Sequence, residues 1–273
     1  MSSNDAKTWY DQANQLFQSG RYEGALAHFD KLLAIQPRHF QAWGWRGCTL
    51  YELGFHAEAI ESFEQAIQLK PKYALAWHGL GTAQAKLGKP DEAIASFTKA
   101  LKIDPNDAKA WYNKGHTLLS LSRAQEAVPC FAKATQLNPN HYRSWFNHAV
   151  ALAALRRYKE ALASLGVTLS LKPTCDYAWS YKGMVLAKLN RHEEAIASFE
   201  KSLQCKSDNP NAWYGKACSH ALQRHIEQAV KYLDRAFLLS PYLYPIMAQT
   251  DPCFDRIRDS EAFRSLIEKA GGG

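Results

Sequence analysis

The chain has 273 residues, of which 47% are hydrophobic, and it carries a formal net charge of +7. This composition supplies a buried core and excludes a disordered tail. The N-terminal sequence MSSNDAKTWYDQ lacks the pattern of a targeting signal, and no apolar run reaches the roughly 18 residues that span a bilayer, so we expect no membrane insertion and a cytoplasmic location.

The basic residues are concentrated in the middle of the chain. Residues 108–141 carry four Lys or Arg against one acid, and residues 142–175 carry five against one. The rest of the chain is balanced in charge. A protein that binds nucleic acid along its whole length would be basic throughout, so nucleic acid is not the expected partner.

The cysteines and histidines show no spacing typical of metal ligands. No two of the six cysteines form a CxxC pair, and the ten histidines are scattered. Neither a disulfide framework nor a zinc site is therefore predicted, and we expect neither a metal nor a cofactor. The six cysteines are Cys48, Cys130, Cys175, Cys205, Cys218 and Cys253.

A 34-residue period organises most of the chain. Seven of the eight tryptophans lie on it: Trp9, Trp43, Trp77, Trp111, Trp145, Trp179 and Trp213. With this tryptophan in the fourth place, the repeats are residues 6–39, 40–73, 74–107, 108–141, 142–175, 176–209 and 210–243. The eighth and twentieth places hold only glycine or alanine, and the twenty-fourth holds phenylalanine or leucine. One such unit cannot bury its apolar face alone, so the period predicts a stack.

Each repeat is predicted to contain two helices, because apolar and small residues recur at spacings of three and four. In the fourth repeat, Asp107 is expected to cap a helix over Ala108–Leu121, and a second helix runs from Ala124 to just before Pro139. Pro129 should loosen or bend this second helix. Small residues in the eighth and twentieth places let the paired helices approach, while tryptophan and phenylalanine fill the adjoining space.

The turn between the two helices changes its sequence along the chain. The first three repeats place glycine there, and the last four replace it. The residues at this place are Gly20, Gly54, Gly88, Ser122, Arg156, Asn190 and Arg224. The later turns must therefore form without a residue that easily adopts a left-handed conformation.

The two ends of the chain leave the period. Residues 1–5 are expected to be flexible, and the glycines of residues 271–273 to be disordered. Residues 244–270 keep an amphipathic pattern, which predicts helices that cap the exposed face of the last repeat.

These residues resemble the tetratricopeptide repeat family, whose motif has Trp, Gly or Ala, Tyr or Leu, Ala, Phe, Ala and Pro in that order. The match runs from Ala6 to Leu243. The resemblance implies an all-α fold, a right-handed superhelical α-solenoid of seven helix-turn-helix repeats with C-terminal capping helices. The first helix of each repeat would line a concave face. The seventh place, often leucine in the family, departs from the pattern: it holds Gln12, Arg46, Leu80, Lys114, His148, Lys182 and Lys216.

The resemblance also implies where a ligand would bind. Concave-face residues come from the second, fifth, sixth, ninth and twelfth places, which here are largely aromatic and basic. The candidate peptide-binding residues are Trp45, His78, Lys109, Tyr112, Asn113, His116, Arg143, Phe146, Asn147, Tyr177 and Tyr181. Trp45 is the tryptophan outside the period.

Family members that hold chaperone tails use a clamp of Lys and Asn on one repeat, Asn on the next, and Lys and Arg on the third. This chain has His78 and Thr82, then Asn113, then Arg143 and Asn147 at those places. Only Asn113 matches outright, and Arg143 replaces one cation by another. The resemblance therefore implies the location and charge of a peptide site and not a chaperone ligand.

The predicted function is a non-enzymatic scaffold or adaptor for protein–protein interactions, which binds an extended, acidic peptide segment or C-terminus in its concave groove. No catalytic residue is predicted, because no nucleophile with a base and an oxyanion site can be identified. The glutamates that recur before the twentieth place are interpreted as repeat structure. Three alternatives remain: a merely solvated inner face, binding of single-stranded nucleic acid by stacked aromatic and basic residues, and an accessory subunit of an enzyme or assembly complex.

Overall fold

The computed structural model describes residues 3–271, and this range is helical with no strand. Of the ends expected to be flexible or disordered, residues 1–5 and 271–273, residues 3–5 belong to α1 and Gly271 ends α16, while residues 1–2 and 272–273 lie outside the described residues. The helices are α1 (Ser3–Gln18), α2 (Tyr22–Ile35), α3 (Phe40–Glu52), α4 (His56–Leu69), α5 (Ala74–Lys86), α6 (Pro90–Ile103), α7 (Ala108–Ser120), α8 (Ala124–Leu137), α9 (Tyr142–Ala154), α10 (Tyr158–Leu171), α11 (Asp176–Lys188), α12 (His192–Cys205), α13 (Pro210–Leu222), α14 (Ile226–Leu239), α15 (Tyr244–Thr250) and α16 (Glu261–Gly271), with a 3₁₀ helix at Pro252–Phe254.

The chain forms two compact units, Met1–Pro139 and Asn140–Gly273. The first unit contains α1 to α8, and the second contains α9 to α16. Within each unit, the two helices of a repeat pack together, and the second helix of one repeat packs on the first helix of the next. The predicted all-α architecture of stacked helix-turn-helix repeats is confirmed in both units.

Side-chain caps and tight turns define the ends of the helices. The Oδ1 atom of Asp107 accepts a hydrogen bond from the backbone N–H of Ala110 at 2.9 Å, so the predicted cap of α7 is confirmed. Asn209 caps α13 in the same way. The helix α8 continues through Pro129, whose ring lies on an exposed face, without an interruption at that residue.

All seven turns between paired helices use a left-handed residue. The three glycines have φ values of 74°, 86° and 73°. Ser122, Arg156, Asn190 and Arg224 have φ values of 60°, 60°, 59° and 63°. The packing of the two helices therefore imposes this conformation even where the sequence supplies no glycine.

The residue of the twenty-fourth place, phenylalanine in five repeats and leucine in two, and not the tryptophan, forms the centre of each repeat. Phe199, for example, is 2% exposed. A Cβ atom added at Gly183, in the eighth place of the same repeat, would lie 2.7 Å from its ring. The small eighth residue thus makes room for this ring, as the sequence pattern indicates.

The periodic tryptophans are half-buried, and in the second, third, fourth, sixth and seventh repeats the indole is hydrogen-bonded to the loop before its helix. The Nε1 atom of Trp179 donates to the carbonyl oxygen of Pro173 at 2.8 Å. Trp43, Trp77 and Trp111 make the same bond to the proline carbonyl six residues earlier. In the last repeat Trp213 bonds to the carbonyl of Ser207 at 2.9 Å, so the loop closure does not require proline.

Three of the four Lys or Arg residues in the seventh place cover the indole of their own repeat, whereas Lys216 lies over the ring of Tyr232. The charged atoms of Arg46, Lys114 and Lys182 lie 5.6, 5.8 and 5.1 Å from the ring centres of Trp43, Trp111 and Trp179. A cation over an aromatic face is favourable, which explains how a position that is often leucine tolerates charge.

The segment after the last repeat packs on its exposed side. Phe254, Ile257 and Phe263 are buried in one cluster with Leu233 and Phe237 of α14. The predicted C-terminal capping helices correspond to α15 and α16.

No helix within residues 3–271 is both long enough and apolar enough to cross a membrane.

Candidate functional site

In the first unit, two predicted site residues bind each other. The Nδ1 atom of His78 lies 2.8 Å from Oδ2 of Asp107, and the Nε2 atom lies 3.1 Å from Nδ2 of Asn113. The imidazole therefore donates to the carboxylate and accepts from the amide. Burial opposes ionisation of Asp107, but the hydrogen bond from His78 and those from the capping N–H groups lower its pKa overall. This network locks α5 to the start of α7.

The other candidates of the first unit have different surroundings. Lys109 and His116 are exposed on α7, and Tyr112 packs edge-on against Phe131 with ring centres 6.0 Å apart. The Trp45 ring meets Phe17 of α1 edge-on at 5.2 Å. The tryptophan outside the period thus contributes to packing between α1 and α3.

The second unit contains a cleft of about 720 Å³. It lies among α9, α11, α13 and α15, so the first helices of the last three repeats supply most of its wall, together with the segment that follows them. We call it the aromatic cleft. Its lining includes Phe146, Asp176, Tyr177, Tyr181, Met184, Lys188, Lys206, Asn211, Tyr214, Cys218, Tyr244, Met247, Asp251 and Cys253.

Three residues predicted from the sequence meet at one end of the aromatic cleft. The ring of Phe146 lies 4.7 Å from that of Tyr177 and 5.6 Å from that of Tyr181, both edge-on. Tyr177 and Met184 remain 38% and 41% exposed. Large apolar side chains that stay open in a concave surface are typical of a binding site.

Two cations of the second unit converge beside this end of the cleft. The Nε atom of Arg143 and the Nζ atom of Lys172 each donate to the hydroxyl of Tyr142 at 3.3 Å. The Lys172 ammonium also lies 4.8 Å from the centre of the Tyr142 ring. The hydrogen bonds from Arg143, Lys172 and Tyr177 lower the pKa of the Tyr142 phenol. The positive charges of Arg143 and Lys172 therefore favour a negatively charged ligand group next to Tyr177. Asn147, the other candidate on α9, is half-buried.

The opposite end of the aromatic cleft combines Tyr214, which the sequence places on the concave face of the last repeat, with residues after the repeats that were not predicted as site residues. The ring of Tyr214 stacks on that of Tyr244 at 4.7 Å, and its hydroxyl donates to Oδ2 of Asp251 at 2.8 Å. The hydroxyl of Tyr244 donates to Oδ1 of Asn211 at 2.8 Å. The segment after the repeats therefore supplies part of the wall. Its positions lie outside the 34-residue period, so the repeat alone could not assign them to the site.

Family comparisons agree with the helical repeats. Sequence models described as Tetratricopeptide repeat match residues 10–74, 46–108, 108–141 and 176–209, which together make up more than half of the chain. The chain therefore belongs to the tetratricopeptide repeat family. Members of this family are typically non-enzymatic scaffolds for protein–protein interactions. No curated protein matches the sequence.

Several solved structures are similar in fold. YrrB, described as a TPR protein with an unusual peptide-binding site, has a TM-score of 0.61 and 24% identity, covering 69% of this chain and 98% of that chain. A tetratricopeptide repeat protein from Parabacteroides merdae has a TM-score of 0.62 and 15% identity over 98% of this chain and 100% of that one. Pseudomonas aeruginosa pilF has a TM-score of 0.62 and 18% identity, covering 84% of this chain and 97% of that chain. At these identities the likeness shows the fold alone.

Proposed function

We propose that the protein is a non-enzymatic scaffold whose second unit binds an extended segment of a partner protein in the aromatic cleft. The observation that carries this proposal is the open cleft of about 720 Å³, walled by the first helices of successive repeats and lined with exposed aromatic and methionine side chains. The unusual peptide-binding site described for YrrB supports the choice of ligand class.

The aromatic lining supports an apolar anchor on the bound segment. Phe146, Tyr177 and Tyr181 hold one another edge-on, so their rings are fixed before a ligand arrives. Rigid aromatic side chains in a concave surface bury much area at little loss of conformational entropy. Met184 and Met247, both partly exposed, can adapt to the shape of the inserted side chain.

The charge beside Tyr177 supports an acidic group on the segment. Arg143 and Lys172 meet at the Tyr142 hydroxyl. The lining of the cleft, by contrast, carries equal numbers of positive and negative charges, which are Lys188, Lys206, Asp176 and Asp251. We therefore infer a segment with a bulky apolar side chain in the cleft and a carboxylate next to Lys172. Long-range attraction would raise its association rate more than its final affinity.

Selection from a library of random peptides displayed on phage, followed by fluorescence anisotropy with the selected peptides, tests the apolar anchor. Replacing Phe146 or Tyr181 by alanine should weaken binding by about 2 kcal/mol, or roughly 30-fold. Tyr242→Ala is the matched control, because this tyrosine is 88% exposed and outside the cleft lining. Equal losses in all three variants, or no selected peptides, would contradict the proposal.

A pair of charge reversals tests the acidic group. Lys172→Glu should lower the affinity for acidic selected peptides, while Lys159→Glu, which makes the same change on an exposed site of α10, should leave it nearly unchanged. The same titrations with a single-stranded oligonucleotide at two salt concentrations address the alternative ligand. Tight oligonucleotide binding that weakens steeply with salt, with no peptide binding, would identify a phosphate-dominated site instead.

A further inference from the structure

Two thiols and a carboxylate converge where the last repeat meets the segment that follows it. The sulfur atoms of Cys218 and Cys253 and a carboxylate oxygen of Asp251 all lie within 4.8 Å of one another. Cys218 belongs to α13, Asp251 caps the 3₁₀ helix after α15, and Cys253 lies within that helix. We propose that Cys218, Cys253 and Asp251 bind one thiophilic divalent cation, Zn²⁺, at the wall of the aromatic cleft.

The ligand set and its spacing fit zinc. Thiolates and carboxylates are both common zinc ligands, and tetrahedral Zn–S bonds of about 2.3 Å place the ligand atoms roughly 3.5–3.8 Å apart. The three atoms must therefore approach by about 1.3 Å at most to reach this geometry. Three protein ligands leave a fourth tetrahedral position for water, as in zinc sites that keep an open position.

Neighbouring hydrogen bonds already orient the carboxylate. The Oδ1 atom of Asp251 accepts the backbone N–H of Cys253 at 2.9 Å, and Oδ2 accepts the hydroxyl of Tyr214 at 2.8 Å. The Nη2 atom of Arg258 donates to the carbonyl oxygen of Asp251 at 3.0 Å, which fixes the turn. Outer hydrogen bonds of this kind hold a ligating side chain in position.

Access and charge also favour a cation here. All three ligands line the aromatic cleft, and Asp251 and Cys253 are only half-buried, so an ion can enter from the cleft. Two thiolates and a carboxylate around Zn²⁺ leave one net negative charge. Lys188, whose ammonium group is positively charged, also lines the cleft. It can therefore balance that remaining charge.

The protonation state of Cys218 predicts how binding depends on pH. Since a thiol must lose its proton to bind zinc, cation binding releases protons, and the affinity should rise with pH.

Titration of the full chain with Co²⁺, in the presence of a phosphine reductant, tests the proposal by absorption spectroscopy. Wild type should develop sulfur-to-cobalt charge-transfer absorption that saturates at one ion per chain and is abolished by Zn²⁺. Cys253→Ser should lose this absorption, whereas Cys205→Ser, which removes an exposed thiol of α12 in the same unit, should retain it. No absorption in wild type, or unchanged absorption in Cys253→Ser, would overturn the proposal.

Two further variants separate ligation from folding. Asp251→Asn removes the negative charge but keeps both contacts, because its amide oxygen can accept the Cys253 N–H and its amide nitrogen can donate to the Tyr214 hydroxyl oxygen. It should therefore weaken Co²⁺ binding while the circular dichroism spectrum stays that of wild type. Tyr214→Phe removes an outer hydrogen bond and should weaken binding by about 10-fold to 100-fold. Wild-type affinity in both folded variants would show that the carboxylate is not a ligand, and the three-ligand site would be wrong.

Discussion

Gly183 lies so close to Phe199 that a Cβ atom added at the glycine would meet the Cε1 atom of the ring at 2.7 Å. Gly183→Ala should therefore destabilise the second unit. Overpacking a filled core costs about 1–3 kcal/mol. This exceeds the roughly 0.5–1 kcal/mol that alanine gains over glycine inside a helix. Chemical denaturation of the full chain, followed by circular dichroism, measures the difference.

Gly166 provides the matched control for this substitution. It lies in the interior of α10, in the same unit, and a Cβ atom added there would meet nothing within 4 Å. Gly166→Ala should thus stabilise the protein by about 0.5–1 kcal/mol. If both variants shift stability in the same direction, backbone propensity and not the Phe199 contact decides the effect.

The chain itself suggests a compensating change for Gly183→Ala. Two repeats combine alanine in the eighth place with leucine in the twenty-fourth, Ala149 with Leu165 and Ala217 with Leu233, whereas Gly183 is paired with Phe199. The double variant Gly183→Ala, Phe199→Leu should lose less stability than the sum of the two single variants. The first repeat is the exception, because it pairs alanine with phenylalanine.

The repeat period predicted the core of each repeat because packing inside a repeat is local. A ring in the twenty-fourth place and a small residue in the eighth belong to one helix pair, so the contact between them recurs with the 34-residue period. Phe199 is correspondingly 2% exposed. The indole bonds, by contrast, end on backbone carbonyls such as that of Pro173, which carry no side-chain signal. The period thus made the tryptophan and the proline visible as recurring residues, but it did not predict the hydrogen bond between them.

The candidate site was predicted less completely than the core. The places of the first helices identified Phe146, Tyr177 and Tyr181, which the fold brings together at one end of the aromatic cleft. The other end depends on residues such as Cys253, far from Cys218 in sequence and outside the period. Spacing rules for metal ligands consider neighbours along the chain, so they could not pair residues that only the packing of the C-terminal segment joins.

A left-handed turn offers a second prediction. Arg156 has a φ of 60° and an exposed side chain. This conformation costs an ordinary residue about 1–2 kcal/mol. Glycine avoids that strain, but it also lowers the free energy of unfolding by roughly 0.4–1 kcal/mol, because it increases the conformational entropy of the unfolded chain. Arg156→Gly should therefore raise the free energy of unfolding by about 0.5–1 kcal/mol.

Asn190→Gly is the comparison for Arg156→Gly. Its backbone has a φ of 59°, but asparagine tolerates the left-handed region better than arginine does, so its gain should be smaller. Urea denaturation of both variants measures the two gains. A loss of stability in Arg156→Gly would indicate that contacts of the arginine side chain outweigh backbone strain.

The indole-to-carbonyl bond gives a third prediction. Trp179→Phe keeps an aromatic ring but removes the N–H that binds the Pro173 carbonyl at 2.8 Å, so it should cost about 0.5–1.5 kcal/mol for the bond, plus any lost packing. Trp213→Phe should lose a similar amount, although its acceptor is the carbonyl of Ser207. A large loss only at Trp179 would mean that the proline ring, and not its carbonyl, makes the important contact.

The partly buried imidazole of His148 predicts how stability depends on pH. Burial, together with the charge of Arg157 and against that of Glu160, lowers the pKa of His148 below its ordinary value of 6.5, and its Nδ1 lies 3.1 Å from the Ser164 hydroxyl. Below pH 6.5 the unfolded chain therefore binds more protons than the folded chain at this residue. Its contribution to stability is fully present above 6.5 and is lost as pH falls through the folded pKa.

His148→Leu should reduce this loss of stability on acidification, because leucine does not titrate and already occupies the same place in the third repeat as Leu80, which is 5% exposed. Unfolding free energies of wild type and variant, measured from pH 7.5 to 5, should then diverge toward low pH. Some slope should remain in the variant, since burial also lowers the pKa values of His39 and His220. Parallel pH profiles for the two proteins would show that His148 keeps an ordinary pKa in the folded chain and that the buried-imidazole account is wrong.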